Sequence, residues 1–334
     1  MDIEETRIYK RYQSLVGSYL QPGIEKSRNS GMSSNVGLLG VEPLLVTLSE
    51  ILDKYDAFCF DGYGTLYNRG DFVYPGAMEW YRSLRAAGKH LRLVTNAASN
   101  TDDFLAKDAA ARGFDFAAEE TVSSGSLLAD LTRGKAVGVF DSVENGGENR
   151  RFADGLKRGE SLECIVREVY YIGRDTGVNV LAQAGIAAAE NPVDPVVAVS
   201  SYTATDEMFN HAVEILRRPG GLLLVLNPDA WAPKIDGTRS AVSGTLAERL
   251  RLASGCRTCY LGKPFPAIWE KVRASLPSGS RVLMIGDTIG TDVYGAKVAG
   301  FDSALVVGRN VPEERLASDE AALGLRPNYY LVPG

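Results

Sequence analysis

The sequence is poor in cysteine, histidine and long apolar runs, and these shortages exclude several classes of protein. Its 334 residues include four cysteines and two histidines, which is too few cysteines for a disulfide scaffold. The longest apolar runs, such as Leu222–Leu226, are far shorter than the about 20 residues that a membrane helix needs. The acidic start Met-Asp-Ile-Glu-Glu lacks the apolar run of a signal peptide. We therefore expect a cytoplasmic protein with no membrane partner.

Clusters of basic residues are also missing. Lysine and arginine total 36 against 42 aspartate and glutamate residues, so the net charge is −6. Proteins that bind duplex nucleic acid usually carry a basic face, and we expect no nucleic-acid partner here. The length is sufficient for about two domains, each with its own core.

Short apolar runs alternate with segments of helical spacing from about residue 43 onward. Tyr55–Phe60 and Leu91–Thr95 are mostly apolar, as is typical of strands buried on both faces. Helices are predicted at Gly76–Ala87 and Thr101–Arg112, each followed by a glycine. Such alternation favours an α/β fold with a Rossmann-like parallel sheet.

A second strand–helix series interrupts the first and predicts an inserted α/β domain. The predicted organisation is an N-terminal extension (1–42), a discontinuous core (43–132 and 245–334), a surface insertion (133–168) and the inserted domain (169–244). The extension is polar and rich in glycine and serine around Ser27–Gly40. We expect it to be a poorly ordered arm or a contact for a partner.

Polar side chains follow the predicted core strands where each strand ends. They are Asp61, Thr95, Lys263, Asp287 and, five residues further on, Asp292. Ligands of open parallel sheets bind outside the carboxyl ends of the strands, so these residues are expected to converge. Carboxylates suit a magnesium ion, while a hydroxyl and a lysine suit the oxygens of a phosphoryl group.

The segments around these residues resemble the four motifs of the haloacid dehalogenase superfamily. The motifs are Phe60-Asp61-Gly62-Tyr63-Gly64-Thr65-Leu66, Leu93-Val94-Thr95-Asn96, Gly262-Lys263-Pro264, and Gly286-Asp287 through Thr291-Asp292. Ser99, Val122–Ser124 and Asn227-Pro228-Asp229 are similar to a subgroup with a large α/β cap. That subgroup includes p-nitrophenyl phosphatase, phosphoglycolate phosphatase and pyridoxal phosphatase.

The resemblance implies a role for each matching residue. Asp61 is implied as the nucleophile, and the implied catalytic set is Asp61, Tyr63, Thr95 and Lys263. The implied ligands and supports of Mg²⁺ are Asp61, the backbone carbonyl of Tyr63, Asp287 and Asp292. The implied substrate contacts are Gly62, Thr65, Asn96, Asn227 and Asp229.

Tyr63 departs from the phosphatase pattern, which has a second aspartate at this position as general acid and base. A phenol, with a pKa of about 10, is a poor base at neutral pH. The L-2-haloacid dehalogenases of the same superfamily also have tyrosine here, and their halide leaving group needs no proton. The proton for a phosphatase would come from Asp229, Tyr63 or the substrate itself.

The sequence therefore predicts a Mg²⁺-dependent phosphatase that forms an aspartyl-phosphate and acts on a small phosphorylated metabolite with a good leaving group. Two alternatives stay open: a hydrolase of the 2-haloacid dehalogenase type, and a catalytically weak binding protein. A homodimer is compatible with the sequence.

Overall fold

A parallel β-sheet forms the centre of the computed structural model, which describes residues 1–20, 42–141 and 166–332. Its strands are β1 (Leu44–Val46), β2 (Ala57–Phe60), β3 (His90–Thr95), β4 (Thr121–Ser123), β13 (Val282–Gly286), β14 (Asp302–Val306) and β15 (Tyr329–Leu331). Within the described residues their spatial order is β1-β15-β14-β13-β2-β3-β4, with every neighbouring pair parallel. All residues of β2 are buried, because helices and the second sheet cover both faces.

A second sheet packs beside the first. Its strands are β5 (Val139–Asp141), β6 (Glu168–Ile172), β7 (Ala187–Ala188), β8 (Val196–Val199), β9 (Leu222–Val225) and β12 (Arg257–Tyr260). Their order among the described residues is β5-β12-β9-β8-β6-β7, and only the β5–β12 pair is antiparallel. Apolar side chains of both sheets share one buried cluster.

The placement of β12 corrects one expectation. This strand, which precedes Lys263, was expected in the core sheet, but it pairs with β9 and β5 of the second sheet. Part of the predicted surface insertion likewise forms β5, whereas residues 142–165 lie outside the described residues. The exact domain boundaries stay predictions.

Helices cover the two sheets and join their strands. They are α1 (Ile3–Tyr19), α2 (Leu48–Ile51), α3 (Ala77–Ala86), α4 (Asp102–Ala110), α5 (Ser126–Thr132), α6 (Gly177–Gln183), α7 (Asp206–Leu216), α8 (Ser243–Ser254), α9 (Pro266–Ala274), α10 (Tyr294–Ala299) and α11 (Leu316–Leu323). The chain between β9 and α8 forms a hairpin of β10 (Trp231–Pro233) and β11 (Arg239–Ala241). No helix in the described ranges combines the length and the apolar character needed to cross a membrane.

Helix α1 shows that residues 3–19 are not a poorly ordered arm. Asp2 caps the helix by accepting a hydrogen bond from the backbone N–H of Glu5 at 2.7 Å. Ile8, Tyr12 and Val16, spaced four residues apart, form a fully buried stripe. The stripe belongs to an apolar cluster that also contains side chains of both sheets. Residues 21–41 of the predicted extension lie outside the described residues.

Candidate active site

The register of the core strands brings the predicted polar residues to one edge of the sheet. Phe60 lies opposite Ile285 on one side and Leu93 on the other, so the residues that follow these strands lie close together. Most of the predicted site residues line one cavity of about 550 Å³: Asp61, Tyr63, Thr95, Asn96, Asn227, Asp229, Lys263, Asp287 and Asp292. Gly62 and Thr65 are buried but do not line this cavity.

Lys263 connects two of the carboxylates. Its Nζ donates to Asp61 Oδ1 at 2.6 Å and to Asp292 Oδ1 at 2.7 Å. All three side chains are almost completely buried. Charged hydrogen bonds of this kind hold the groups more firmly than neutral ones, so the Asp61 carboxylate has a fixed position at the end of β2.

The loop after β13 positions the carboxylates of Asp287 and Asp292. Asp292 Oδ2 accepts from the backbone N–H groups of Asp287 and Thr288 at 3.1 and 3.0 Å, so both oxygens of Asp292 have partners. Asp287 lies against Gly64, where an added Cβ would come 2.1 Å from Asp287 Oδ2. Gly64 also has a φ of 101°, which favours glycine. Only glycine therefore lets the loop after β2 approach Asp287 so closely.

Burial changes the protonation of this cluster. It raises the pKa of Asp61 to about 7; Lys263 opposes this rise, while the charge of Asp292 adds to it. Burial and the charges of Asp61 and Asp292 raise the pKa of Asp287 well above its usual range. Although burial opposes the change, the surrounding carboxylates raise the pKa of Lys263, which keeps its ammonium group charged.

The carboxylates fit a divalent cation. Asp61, Asp287 and Asp292 each offer an oxygen, and these oxygens lie within 4.8 Å of one another. Asp287 Oδ2 is buried, and no group among the described residues donates a hydrogen bond to it. A buried carboxylate oxygen without a partner is costly, and Mg²⁺ binds oxygen ligands of this type. The donor set is therefore suited to this ion.

Asn96 joins the core to the loop that follows β9. Its Nδ2 donates to Asp229 Oδ1 at 2.9 Å and to the carbonyl of Lys263 at 3.0 Å. Its Oδ1 accepts from the backbone N–H of Lys263 at 2.8 Å. Asn227 Oδ1 accepts from the N–H of Asp229, which fixes this loop over the cavity. Burial raises the pKa of Asp229 to about 6.

The Tyr63 hydroxyl already has a partner. It donates to Asp108 Oδ2 at 2.9 Å, and Arg112 pairs with the other oxygen of Asp108 at 2.7 Å. Burial, with the charge of Asp108, raises the pKa of Tyr63 to about 12. The hydroxyl therefore keeps its proton at neutral pH and directs it to Asp108.

Two features of the site were not predicted from the sequence: the hairpin that lines the cavity and the helix α1 that supports it. Residues of the β10–β11 hairpin line the cavity. Arg239 of this hairpin donates to Glu5 Oε1 at 3.1 Å, and the hydroxyl of Tyr12 donates to the carbonyl of Pro228 at 3.0 Å. The helical spacing of Ile8, Tyr12 and Val16 predicts one buried face for α1, but it does not indicate the partner of that face.

Comparison with known families agrees with the motifs. A model described as haloacid dehalogenase-like hydrolase matches residues 58–187, and a HAD-hydrolase-like model matches residues 260–331. The two matches include all four motifs. The chain belongs to the haloacid dehalogenase-like hydrolases, which confirms the predicted family.

Curated relatives match most of the chain. Chronophin of Bos taurus is 30% identical over 298 residues, which cover 85% of this chain and 92% of the relative. Glycerol-3-phosphate phosphatase of Rattus norvegicus is 28% identical over 255 residues, which cover 73% of this chain and 76% of the relative.

Solved structures confirm the predicted fold class. A possible sugar phosphatase of Cytophaga hutchinsonii has a TM-score of 0.69 at 22% identity, covering 86% of this chain and 97% of its own. Glycerol phosphate phosphatase of Mycobacterium tuberculosis, solved in complex with magnesium, has a TM-score of 0.61 at 24% identity. That match covers 84% of this chain and 76% of the solved one.

Proposed function

We propose that this protein is a Mg²⁺-dependent phosphatase that hydrolyses a small phosphomonoester through an aspartyl-phosphate on Asp61. The observation that carries the proposal is the buried contact of Lys263 with Asp61 and Asp292, beside the unpartnered oxygen of Asp287. This arrangement combines a fixed carboxylate nucleophile with a cation for phosphoryl oxygens. Phosphoryl transfer depends mainly on such positioning and charge neutralisation.

Asp61 is the proposed nucleophile. Its free carboxylate oxygen forms a bond to phosphorus while the ester P–O bond breaks and the leaving oxygen departs with the bonding electron pair as an anion. Lys263 and the Thr95 hydroxyl hold the phosphoryl oxygens during this step. Water then attacks the phosphorus of the aspartyl-phosphate, which releases inorganic phosphate and regenerates the Asp61 carboxylate.

Asp61, Asp287 and the backbone carbonyl of Tyr63 are the proposed ligands of Mg²⁺. When bound, the ion neutralises negative charge on the phosphoryl group. Both oxygens of Asp292 are already engaged by Lys263 and by backbone N–H groups. Asp292 is therefore assigned to holding Lys263 and the loop of Asp287 in place.

We propose that this protein differs from phosphatases with two aspartates in the first motif in the leaving group that it prefers. The Tyr63 hydroxyl donates its hydrogen bond to Asp108, so a phosphate compound whose leaving group needs little protonation, such as an aryl or acyl phosphate, suits this site. The name of glycerol-3-phosphate phosphatase, one of the relatives, supports phosphate-ester chemistry for this chain.

The cytoplasmic location and the homodimer stay predictions.

The test is phosphate release from 4-nitrophenyl phosphate, acetyl phosphate and glycerol 3-phosphate, with Mg²⁺ and then with EDTA. We expect release that requires Mg²⁺ and is fastest for the first two compounds. Asp61→Asn should abolish it, whereas Asp103→Asn, the same change at an exposed position outside the cavity, should not. More than about a tenth of wild-type activity in Asp61→Asn would contradict the proposal, because loss of a covalent nucleophile costs far more.

One observation, the Asp-x-Tyr sequence at Asp61 and Tyr63, favours the dehalogenase alternative. Release of halide from 2-haloacids that persists in EDTA, with no phosphate release, would establish that reaction instead. Binding of inorganic phosphate without turnover of either substrate class would establish the weak binding protein.

A further inference from the structure

We propose that the mouth of the cavity holds a second anion site, formed by Arg174, Arg69 and Lys234, and that the substrate is a phosphomonoester carrying a second negatively charged group. All three residues line the same cavity as Asp61 and Lys263, and all three are exposed. This inference rests on the proposed phosphatase function, since Asp61 and Lys263 are taken to receive the phosphoryl group.

The segment that carries Arg174 is held on both sides. Before it, Gly173 packs so closely that an added Cβ would come 2.2 Å from the Tyr171 hydroxyl and 2.3 Å from Ser200 Oγ. After it, the Thr176 hydroxyl donates to the carbonyl of Ser99, a residue of the core, at 2.8 Å. These contacts fix the backbone of Arg174 at the junction of the second sheet and the core.

Polar side chains next to this segment hydrogen-bond to one another at the cavity. Ser200 Oγ lies 2.7 Å from Ser99 Oγ and 2.6 Å from the Tyr171 hydroxyl. Burial raises the pKa values of Tyr63 and Tyr171, and the positive charge of Arg174 opposes this rise in both groups. Arg174 and Tyr63 both line the cavity.

Arg69 and Lys234 come from two different segments that a single hydrogen bond joins. Asn68 Nδ2 donates to the carbonyl of Pro233 at 3.1 Å, and each of these residues is followed directly by one of the two cations. This contact holds together the core loop after β2 and the β10–β11 hairpin, and each of them contributes one cation, Arg69 or Lys234, to the lining of the cavity.

The charges of these cations are available to a ligand. Among residues 1–20, 42–141 and 166–332, no carboxylate oxygen lies within 4.0 Å of a charged nitrogen of the three. The nearby Asp236 is engaged in its own turn, where it accepts from the backbone N–H and the hydroxyl of Thr238 at 2.9 and 2.6 Å. In a chain of net charge −6, the exposed charged residues that line the cavity are thus three cations and one carboxylate, Asp236.

Arginine binds carboxylate and phosphate groups through paired N–H donors. A compound with a phosphoryl group at one end and a carboxylate or second phosphate at the other would contact Lys263 and Arg174 together. A phosphomonoester of the same length whose other end is uncharged would leave Arg174, Arg69 and Lys234 without a ligand.

The experiment compares 3-phosphoglycerate with glycerol 3-phosphate, which share a three-carbon chain and differ in the carboxylate. With Mg²⁺, we expect kcat/KM to be about tenfold higher for 3-phosphoglycerate, equivalent to ~1.4 kcal/mol. Arg174→Gln should remove most of this preference through KM, whereas kcat and the reaction with 4-nitrophenyl phosphate should change little. Arg167→Gln, an exposed arginine outside the cavity, is the matched control.

The experiment distinguishes failure of the proposed anion site from failure of the proposed phosphatase function. If 4-nitrophenyl phosphate is hydrolysed but the two glycerol compounds are equivalent, the anion site is wrong and the phosphatase stands. Equal losses for both compounds in Arg174→Gln would likewise overturn it, because the arginine would then serve only the phosphoryl group. If no ester is hydrolysed, the proposed function fails. Binding of both compounds to Asp61→Asn, measured by calorimetry, then decides whether the carboxylate is still preferred.

Discussion

Tyr63 has a hydrogen bond that determines what it can contribute to the reaction. Its hydroxyl donates to Asp108, and burial raises the pKa of Tyr63 to about 12. The group is therefore neither a base at neutral pH nor free to donate to a leaving group. Its ring packs edge-on against Tyr67, which indicates a role in supporting the loop that carries Asp61.

We predict that Tyr63→Phe lowers kcat for 4-nitrophenyl phosphate and for glycerol 3-phosphate by the same factor, about threefold or less, since a general acid would contribute about 10²–10⁴-fold. The measurement is kcat for both esters at saturating substrate. A loss that is tenfold greater for the alkyl ester would show that the hydroxyl protonates the leaving group after all.

The residues at the strand ends could be placed from the sequence because short apolar runs are read easily and parallel strands end at one edge. Asp61, Thr95 and Asp287 follow from this rule alone. The partner of Tyr63 could not be predicted, because Asp108 lies 45 positions away on a helix face that local pattern does not relate to the loop.

At the scale of elements, α1 is the part that the sequence describes least well. Its apolar spacing indicates a helix, but several of its hydrogen bonds are with residues more than 200 positions away, including Pro228 and Ala230. Tyr9 also packs against Gly290 in the turn before α10, where an added Cβ would come 2.3 Å from the Tyr9 ring. A single helix thus touches both the loop after β9 and the loop that carries Asp287 and Asp292.

We predict opposite effects for alanine at two glycines in or beside α1. Gly290→Ala should destabilise the protein by about 1–3 kcal/mol, because the buried Tyr9 ring cannot move away. Gly17→Ala, on the exposed face of α1 with no atom within 4 Å of the added Cβ, should stabilise it by about 0.5–1 kcal/mol. Urea unfolding of the two variants measures both values. A neutral Gly290→Ala would show that α1 is not fixed against that turn.

At the scale of the whole molecule, the buried carboxylates reduce stability when no cation is bound. The pKa of Asp61 is raised to about 7 from an ordinary value of 3.8. The folded protein therefore holds this proton more tightly than the unfolded chain does. The resulting stabilisation is complete below about pH 4 and is lost as the pH rises through about 7.

We predict that Mg²⁺ raises the melting temperature more at pH 8 than at pH 5, since only deprotonated carboxylates bind the ion. At a concentration a hundred times Kd, the gain at pH 8 should be about 2.7 kcal/mol. Thermal unfolding with Mg²⁺ or EDTA at both pH values is the measurement. Asp287→Asn should remove the shift and Asp103→Asn should keep it, whereas an equal shift at both pH values would contradict Mg²⁺ binding at these carboxylates.

The long-range contacts of α1 also determine when the protein can reach its final structure during translation. Gln13 donates to the carbonyl of Leu323, 310 positions further along the chain, and Tyr12 to that of Pro228, 216 positions further. The ribosome synthesises α1 before any of these partners. Its apolar stripe therefore cannot be fully packed until almost the whole chain has been synthesised. Contacts at such separation slow folding, and an exposed apolar helix is a target for chaperones in the interval. Helix α1 is therefore made before its partners and packed only after they have been made.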